Sequence, residues 1–174
     1  MAKTSFWTNV ALQPKRKFRW VMTLGTSASG IAQYLIKSVT RPDITIAEKE
    51  HRFISHRFYF PGPIEYQPLS VKIADAISPN GAKVIYDIIR NSGYQIPTIC
   101  NATTSVSKKK ATEALRSVII AQLDADGKEV ERWTFARPWI QRVNFNDLDY
   151  EVEDIQDIEL TIRYDWAEFE AKII

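Results

Sequence analysis

Apolar and polar residues alternate at period two through most of this chain, and the longest unbroken run lies near its end. In DIQDIELTIRYDWAEFE, residues 154 to 170, Ile158, Leu160, Ile162, Tyr164 and Trp166 fall on one side of an extended chain, and Asp157, Glu159, Thr161, Arg163 and Asp165 on the other. Side chains of a strand point alternately to opposite faces, so the pattern predicts a half-buried strand over 157–166. KFRWVMTL sets Phe18, Trp20, Met22 and Leu24 on one face, and GTSASG at 25–30 reads as the loop after it. A short extended piece around YLIKSV leads to Thr40-Arg41-Pro42, where the proline keeps Arg41 out of the helical region. ITIAEKEHRFISHRFYF offers extended segments at 44–48 and 52–60, a hairpin or long arm that Pro61-Gly62-Pro63 is expected to end. LSVKIA at 69–74 turns Leu69, Val71 and Ile73 inward. SVIIAQL (117–123) and EVERWTF (129–135) are strands joined at Asp124-Ala125-Asp126-Gly127, whose Asp-Gly pair favours a tight hairpin. ARPWIQRVNFNDLDYEVED reads as a loop with a few short extended pieces.

One segment has helical period. Val84, Ile85, Ile88 and Ile89 form an apolar stripe, Ser78 is a candidate cap, Pro79 suits the first helical position, and Gly93 is placed to end the helix. Residues 94–115 are polar and fit either a loop or a short second helix. About seven strands with one convincing helix give an all-β or β-rich domain, a β-sandwich or small barrel with one flanking α-helix. Residues 1–16 read as an N-terminal arm, compatible with docking on a neighbour or with a frayed end, and 17–174 as a single β domain.

Composition narrows the class without naming a function. The 174 residues suffice for one domain with a full core, and 20 aromatic side chains supply much of the area to bury it. Cys100 is the only cysteine, which removes intrachain disulfides and points to a reducing compartment of synthesis. The N-terminus lacks the pattern of a targeting signal, and no apolar run approaches the roughly 18 residues needed to span a bilayer. Charge does change the picture. Residues 1–60 hold 10 Lys/Arg against 3 Asp/Glu, whereas residues 146–174 hold 2 against 10. Opposite patches on one chain fit either two surfaces that never meet or self-association in which one copy's basic segment meets another's acidic one.

No residue set reads as catalytic, and no cofactor or metal site is expected. His51 and His56 are five apart and, on one continuous extended segment, face opposite ways. Cys100 reads as a small packing residue. DLDYEVEDIQDIE has carboxylates but lacks the glycine that a calcium loop needs, so a solvated acidic face is the simpler reading. Lys108-Lys109-Lys110 reads as a solvated loop. Phe18, Trp20, Phe53, Phe58 and Tyr59 amid the basic first 60 residues keep a nucleic-acid-binding β-barrel open.

FARPWIQRVNFNDLDYEVEDIQDIELTIRYDWAEFE resembles the C-terminal block of the tail tube proteins of contractile-tailed, myovirus-type bacteriophages. The shared order is a strand end, an aromatic loop with proline, a Leu-Asp-Tyr element, an acidic spacer, and an alternating strand ending Tyr-Asp-Trp. KSVTRPDITI is a second, weaker match; the first strand begins Lys17-Phe18 and lacks the family's Asn-Phe. The resemblance spans about residues 17–170. It implies a structural subunit of the virion tail, made in the host cytoplasm, whose hexameric rings stack into a tube inside a sheath. Genomic DNA then passes along the bore without specific binding. The implied partners are further copies of the chain, the sheath, and baseplate and terminator proteins, with no membrane. A tube initiator of the baseplate, or the tube of a secretion or bacteriocin particle, shares this expectation. On this reading part of the set Ile44, Ile46, Phe53, Ile54, Phe58 and Phe60 is buried against an adjoining subunit. Asp157, Glu159 and Asp165 are candidates to line the channel, where carboxylates would repel DNA phosphates. Tyr86, Asp87 and Arg90 are candidates to face the sheath.

Overall fold

The computed structural model describes residues 13–25, 31–97 and 103–172. Cys100, residues 1–12 and the loop positions 26–30 lie outside the described residues. The strands follow in the order β1 (Trp20–Leu24), β2 (Ile36–Val39), β3 (Ile44–Phe53), β4 (His56–Tyr66) and β5 (Leu69–Ala74). Helices α1 (Gly81–Asn91) and α2 (Lys108–Leu115) come next, then β6 (Val118–Leu123), β7 (Glu129–Ala136), β8 (Trp139–Asn144), β9 (Asp157–Arg163) and β10 (Trp166–Ala171).

Two four-stranded antiparallel sheets, ordered β1-β6-β7-β10 and β2-β5-β9-β8, share one core, and β3-β4 forms a separate two-stranded ribbon. Neither four-stranded sheet closes into a barrel. The alternation explains the core directly. Leu69, Val71 and Ile73 sit opposite Ile162, Leu160 and Ile158, and all six are at most 1% exposed. Met22, Leu24, Val118, Ile120 and Phe135 complete the cluster from the other sheet. Full burial of such side chains stabilises by about 1.5–3 kcal/mol each, which makes this pairing the main reason the chain folds.

Helix α1 buries Ile85 and Ile88 and half-buries Val84 and Ile89, so the apolar stripe is as expected. Its cap is Asn80 rather than Ser78: Asn80 Oδ1 accepts from the Lys83 amide at 2.7 Å, and Asp75 Oδ1 from that of Ala82 at 3.3 Å. These carboxamide and carboxylate oxygens satisfy amides that the start of a helix leaves free. Gly93 ends the helix at φ 105°, its amide donating to Arg90 O. Of the two alternatives for 94–115, the helix is realised as α2.

Three other expectations are corrected. Phe18 lies before β1 and is exposed, leaving Trp20, Met22 and Leu24 on the inner side. Pro61-Gly62-Pro63 does not end the arm, because β4 runs through it to Tyr66. A ribbon of two strands has two open edges, so a proline without an N–H costs nothing where it faces outward, and a register shift between Ile46 and Glu48 takes up the extra residue. A Cβ at Gly62 would stand 3.0 Å from Ala47 O, a close approach that any larger residue could make only if Ala47 gave way by a few tenths of an ångström. In the stretch 136–154, read as a loop with a few short extended pieces, one such piece is β8, which pairs with β9. Finally, 157–166 is not one strand: the chain leaves its sheet after Arg163 and re-enters the other as β10 beside β7. Tyr164 fills the crossover, edge-on to Phe135 at 4.8 Å and to Tyr66 at 5.8 Å.

Candidate assembly surfaces

The ribbon carries apolar side chains that its own subunit does not cover. Ile44, Ile46, Phe53, Ile54, Phe58 and Phe60 are all exposed, as are Tyr59 and Ile64. Cross-strand partners share a face, so the register gathers Lys49, His51, Phe53, His56, Phe58 and Phe60 on one side of the tip and Glu48, Glu50, Arg52, Arg57, Tyr59 and Pro61 on the other. Ile44 and Ile46 alternate onto the second side. The six expected arm residues therefore divide between two faces, with Ile54 at the turn. The same register corrects the histidines: the turn at Ile54-Ser55 returns His56 to the face of His51. Among the described residues no group of three or more His, Cys, Asp or Glu could hold a metal ion. Ile54 adopts φ 54° with its side chain 79% exposed. A β-branched residue in the left-handed region is strained, so the tip retains an apolar side chain where glycine would sit more easily.

Asp157 and Glu159 lie on the outward side of β9, and each meets a cation of the same sheet, from β2 for Asp157 and from the adjacent β5 for Glu159. Lys37 Nζ is 2.5 Å from Asp157 and Lys72 Nζ 3.0 Å from Glu159. The Glu159 contact raises the Lys72 pKa, through the hydrogen bond first and charge second. This face is thus mixed in charge. Asp165 is separate from it, past the end of β9, where Lys108 Nζ donates at 2.7 and 2.8 Å and Arg137 Nη1 at 3.4 Å. The Lys108 hydrogen bond holds the Asp165 carboxyl below its usual range, against a smaller opposing effect of burial. Tyr86, Asp87 and Arg90 lie along α1 outside its buried stripe, and all three are exposed.

Beside Asp165 opens a cleft of about 680 Å³ between the ribbon's base, the start of α2 and the β9–β10 crossover. Ile64, Tyr66, Val106 and Trp139 give it apolar walls, and Lys108 and Arg163 stand at its sides. Tyr164 also lines it, and its hydroxyl is buried without a hydrogen-bond partner among the described residues; burial raises its pKa. At the other end of β8 and β9, the 145–156 loop has a closed neck. Asn146 Nδ2 donates to Asp157 O at 2.9 Å, Gln156 Nε2 to Phe145 O at 2.6 Å, and Asp75 N to Gln156 O at 2.8 Å. Leu148 and Tyr150 project from it almost wholly into solvent.

Sequence reasoning missed Glu131. Its side chain is 3% exposed between Arg41 Nη2, at 2.7 Å, and Lys15 Nζ. Arg41 belongs to the Thr-Arg-Pro stretch, so that motif ties the entry to the ribbon onto β7. The available signal was parity: Glu131 falls in the same period-two series as the inward Trp133 and Phe135. Replacing both Lys15 and Arg41 by alanine leaves a buried carboxylate without a cation and should cost about 3 kcal/mol. Urea unfolding measures this, and a loss below about 1 kcal/mol would mean that the carboxylate finds water instead.

Neither a protein-family model nor a curated protein matches this sequence. Solved structures do match in fold. A chain of the PVC extracellular contractile injection system sheath-tube complex, in the extended state, superposes with a TM-score of 0.67 at 16% identity over 99% of both chains. A chain of the anti-feeding prophage tube-terminating cap gives 0.70 at 18% identity over 99% of this chain and 100% of that one. The SPP1 tail tube gives 0.52 at 12% identity over 92% and 81%. The chain has the fold of contractile-system tube and tail-tube structures, the fold its C-terminal block resembles in sequence.

Proposed function

We propose that this chain is a structural subunit of a contractile tail or injection tube and assembles into hexameric rings that stack around a channel. The observation that carries the reading is the ribbon. A chain that has completed a sandwich core still holds an apolar two-stranded hairpin in water, where such a hairpin is marginal by itself; a neighbouring subunit supplies the missing contact. Strands β2 and β8 end their sheet with open edges, and closure of subunits into a ring pairs such edges and removes them as liabilities. The outward side of β2-β5-β9-β8 then forms the channel wall, with Asp157 and Glu159 on it and Asp165 at a subunit junction. Ion pairing to Lys37 and Lys72 makes this wall nearly neutral, which suits a cargo such as DNA that slides without binding. The exposed side of α1 faces a sheath, and Arg90→Glu should lower the amount of sheath sedimenting with tubes several-fold while leaving tube length unchanged; unchanged sheath recovery would place the contact elsewhere.

The fold serves a repeated tube subunit, a terminator or a baseplate initiator, and length of the assembly separates these. Negative-stain microscopy of purified protein tests the reading: rings or rods support it. Monomers that shift single-stranded DNA in a salt-dependent way support a nucleic-acid-binding module instead. That alternative is weakened by the aromatic set, which the fold divides between the half-buried Trp20 at the core and the distant ribbon.

A further inference from the structure

Both histidines of the chain stand on one side of the ribbon's tip. The register sets each polar group of that side directly across from a phenylalanine: Lys49 from Phe60, His51 from Phe58, and His56 from Phe53. All six are exposed. The other side of the tip carries Glu48, Glu50, Arg52 and Arg57, with Arg57 Nε 3.6 Å from Glu50, and charges in that number are costly to take out of water. We infer that the phenylalanine side is the one a neighbouring copy covers, and that its two histidines make this seating acid-sensitive: the assembly holds at neutral pH and loosens as the pH falls through the range in which histidine gains its proton. This deepens the tube reading and rests on it, adding a control of assembly to the contact that reading requires.

The sign follows from what surrounds the two rings. In the free subunit both lie in water, where a proton is gained at no added cost. Once the side is covered, the rings are enclosed with three phenylalanines, and burial disfavours the charged form. The fixed charge on their side of the tip is Lys49, of the same sign and two residues from His51, roughly 7 Å along the strand, so it opposes protonation further. By the register, the carboxylate on that side is Glu65, across from Thr45; it stands six residues toward the base from His51, roughly 20 Å away, which is beyond the reach of charge in physiological salt. Free subunits therefore bind more protons than assembled ones as the pH falls, and linkage moves the balance toward the free form. The seating is complete above the ordinary histidine range and is lost below it. A histidine that must stay neutral to dock weakens the assembly by up to about tenfold for each unit of pH below that range. Ordinary carboxylates keep their charge down to about pH 5, so mild acid acts on the two histidines and leaves the acidic surfaces as they are.

The test compares rod formation by the full chain, read by sedimentation and negative-stain microscopy, at about pH 7.5 and about pH 5.5 and one ionic strength. The concentration the parent needs for rods should rise about tenfold or more on acidification. The double variant His51→Gln, His56→Gln should need the same concentration at both. Each single variant should keep part of the shift, which decides the matter even if the double change weakens the seating by itself. Because both histidines are exposed in the subunit, parent and variants should melt within a few degrees of one another at either pH, and this separates lost docking from lost folding. Rods of the parent that ignore acid, variants as acid-sensitive as the parent, or rods strengthened by acid, as a neighbour's carboxylate facing the histidines would cause, each overturn the switch and leave the tube reading standing. A parent chain that forms neither rings nor rods at neutral pH overturns both.

Discussion

Excising residues 48–61 and closing the gap with Asn-Gly should leave a folded subunit that no longer stacks. The cut follows the register, since Glu48 pairs with Pro61, so the stem pairs Ile44 with Tyr66 and Ile46 with Ile64 remain, and Asn-Gly suits a two-residue hairpin turn. The segment removed holds Phe53, Ile54, Phe58, Tyr59 and Phe60, all exposed, while the buried cluster lies wholly outside it. The thermal midpoint should therefore move by only a few degrees, because roughly 1 kcal/mol shifts a domain of this size by about 2–4 °C. Rods should be absent at concentrations where the parent forms them. A variant that fails to fold would mean that the ribbon supports its own subunit; one that stacks normally would free the ribbon of any role between subunits.

Ile85→Asp should abolish folding. Ile85 is 0% exposed, so the change forfeits about 1.5–3 kcal/mol of apolar burial and places a carboxylate among the aliphatic side chains of the core, at a further cost of several kcal/mol. Together these rival the 5–15 kcal/mol that typically separates folded from unfolded states. Tyr86→Asp, one residue on and exposed, is the control and should melt within a few degrees of the parent. Circular dichroism reads both. A cooperative melt for Ile85→Asp near the parent's temperature would show that α1 is not part of the common core.

Burial of one face was legible in the sequence wherever it alone set the pattern. Leu69, Val71, Ile73, Ile158, Leu160 and Ile162 alternate because one side of each strand is buried, and Ile85 and Ile88 recur at helical spacing for the same reason. The break between β9 and β10 left no mark: Tyr164 continues the inward series, and the departure that follows depends on where β7 lies, a tertiary fact. Proline and glycine at 61–63 misled because their effect depends on whether a strand has a free edge, which period-two patterning does not encode. Strand β8 was legible only as one of the short extended pieces in its stretch, since Trp139 and Ile140 precede polar residues and a register shift between Ile140 and Arg142 breaks the alternation. The assembly surfaces were half visible. Excess apolar residues in the arm and acid near the end announced themselves by composition. Their division between faces, the ion pairing of Asp157 and Glu159, and the placing of Asp165 beside the cleft all required the register.

Whether these subunits close into rings and stack is decided by cryo-electron microscopy of the purified chain. Sixfold rings in a hollow rod are expected, with the outward side of β2-β5-β9-β8 lining the bore and each ribbon seated on a neighbouring subunit. Monodisperse single subunits at high concentration, with Phe58 and Phe60 still in water, would contradict ring closure and stacking alike.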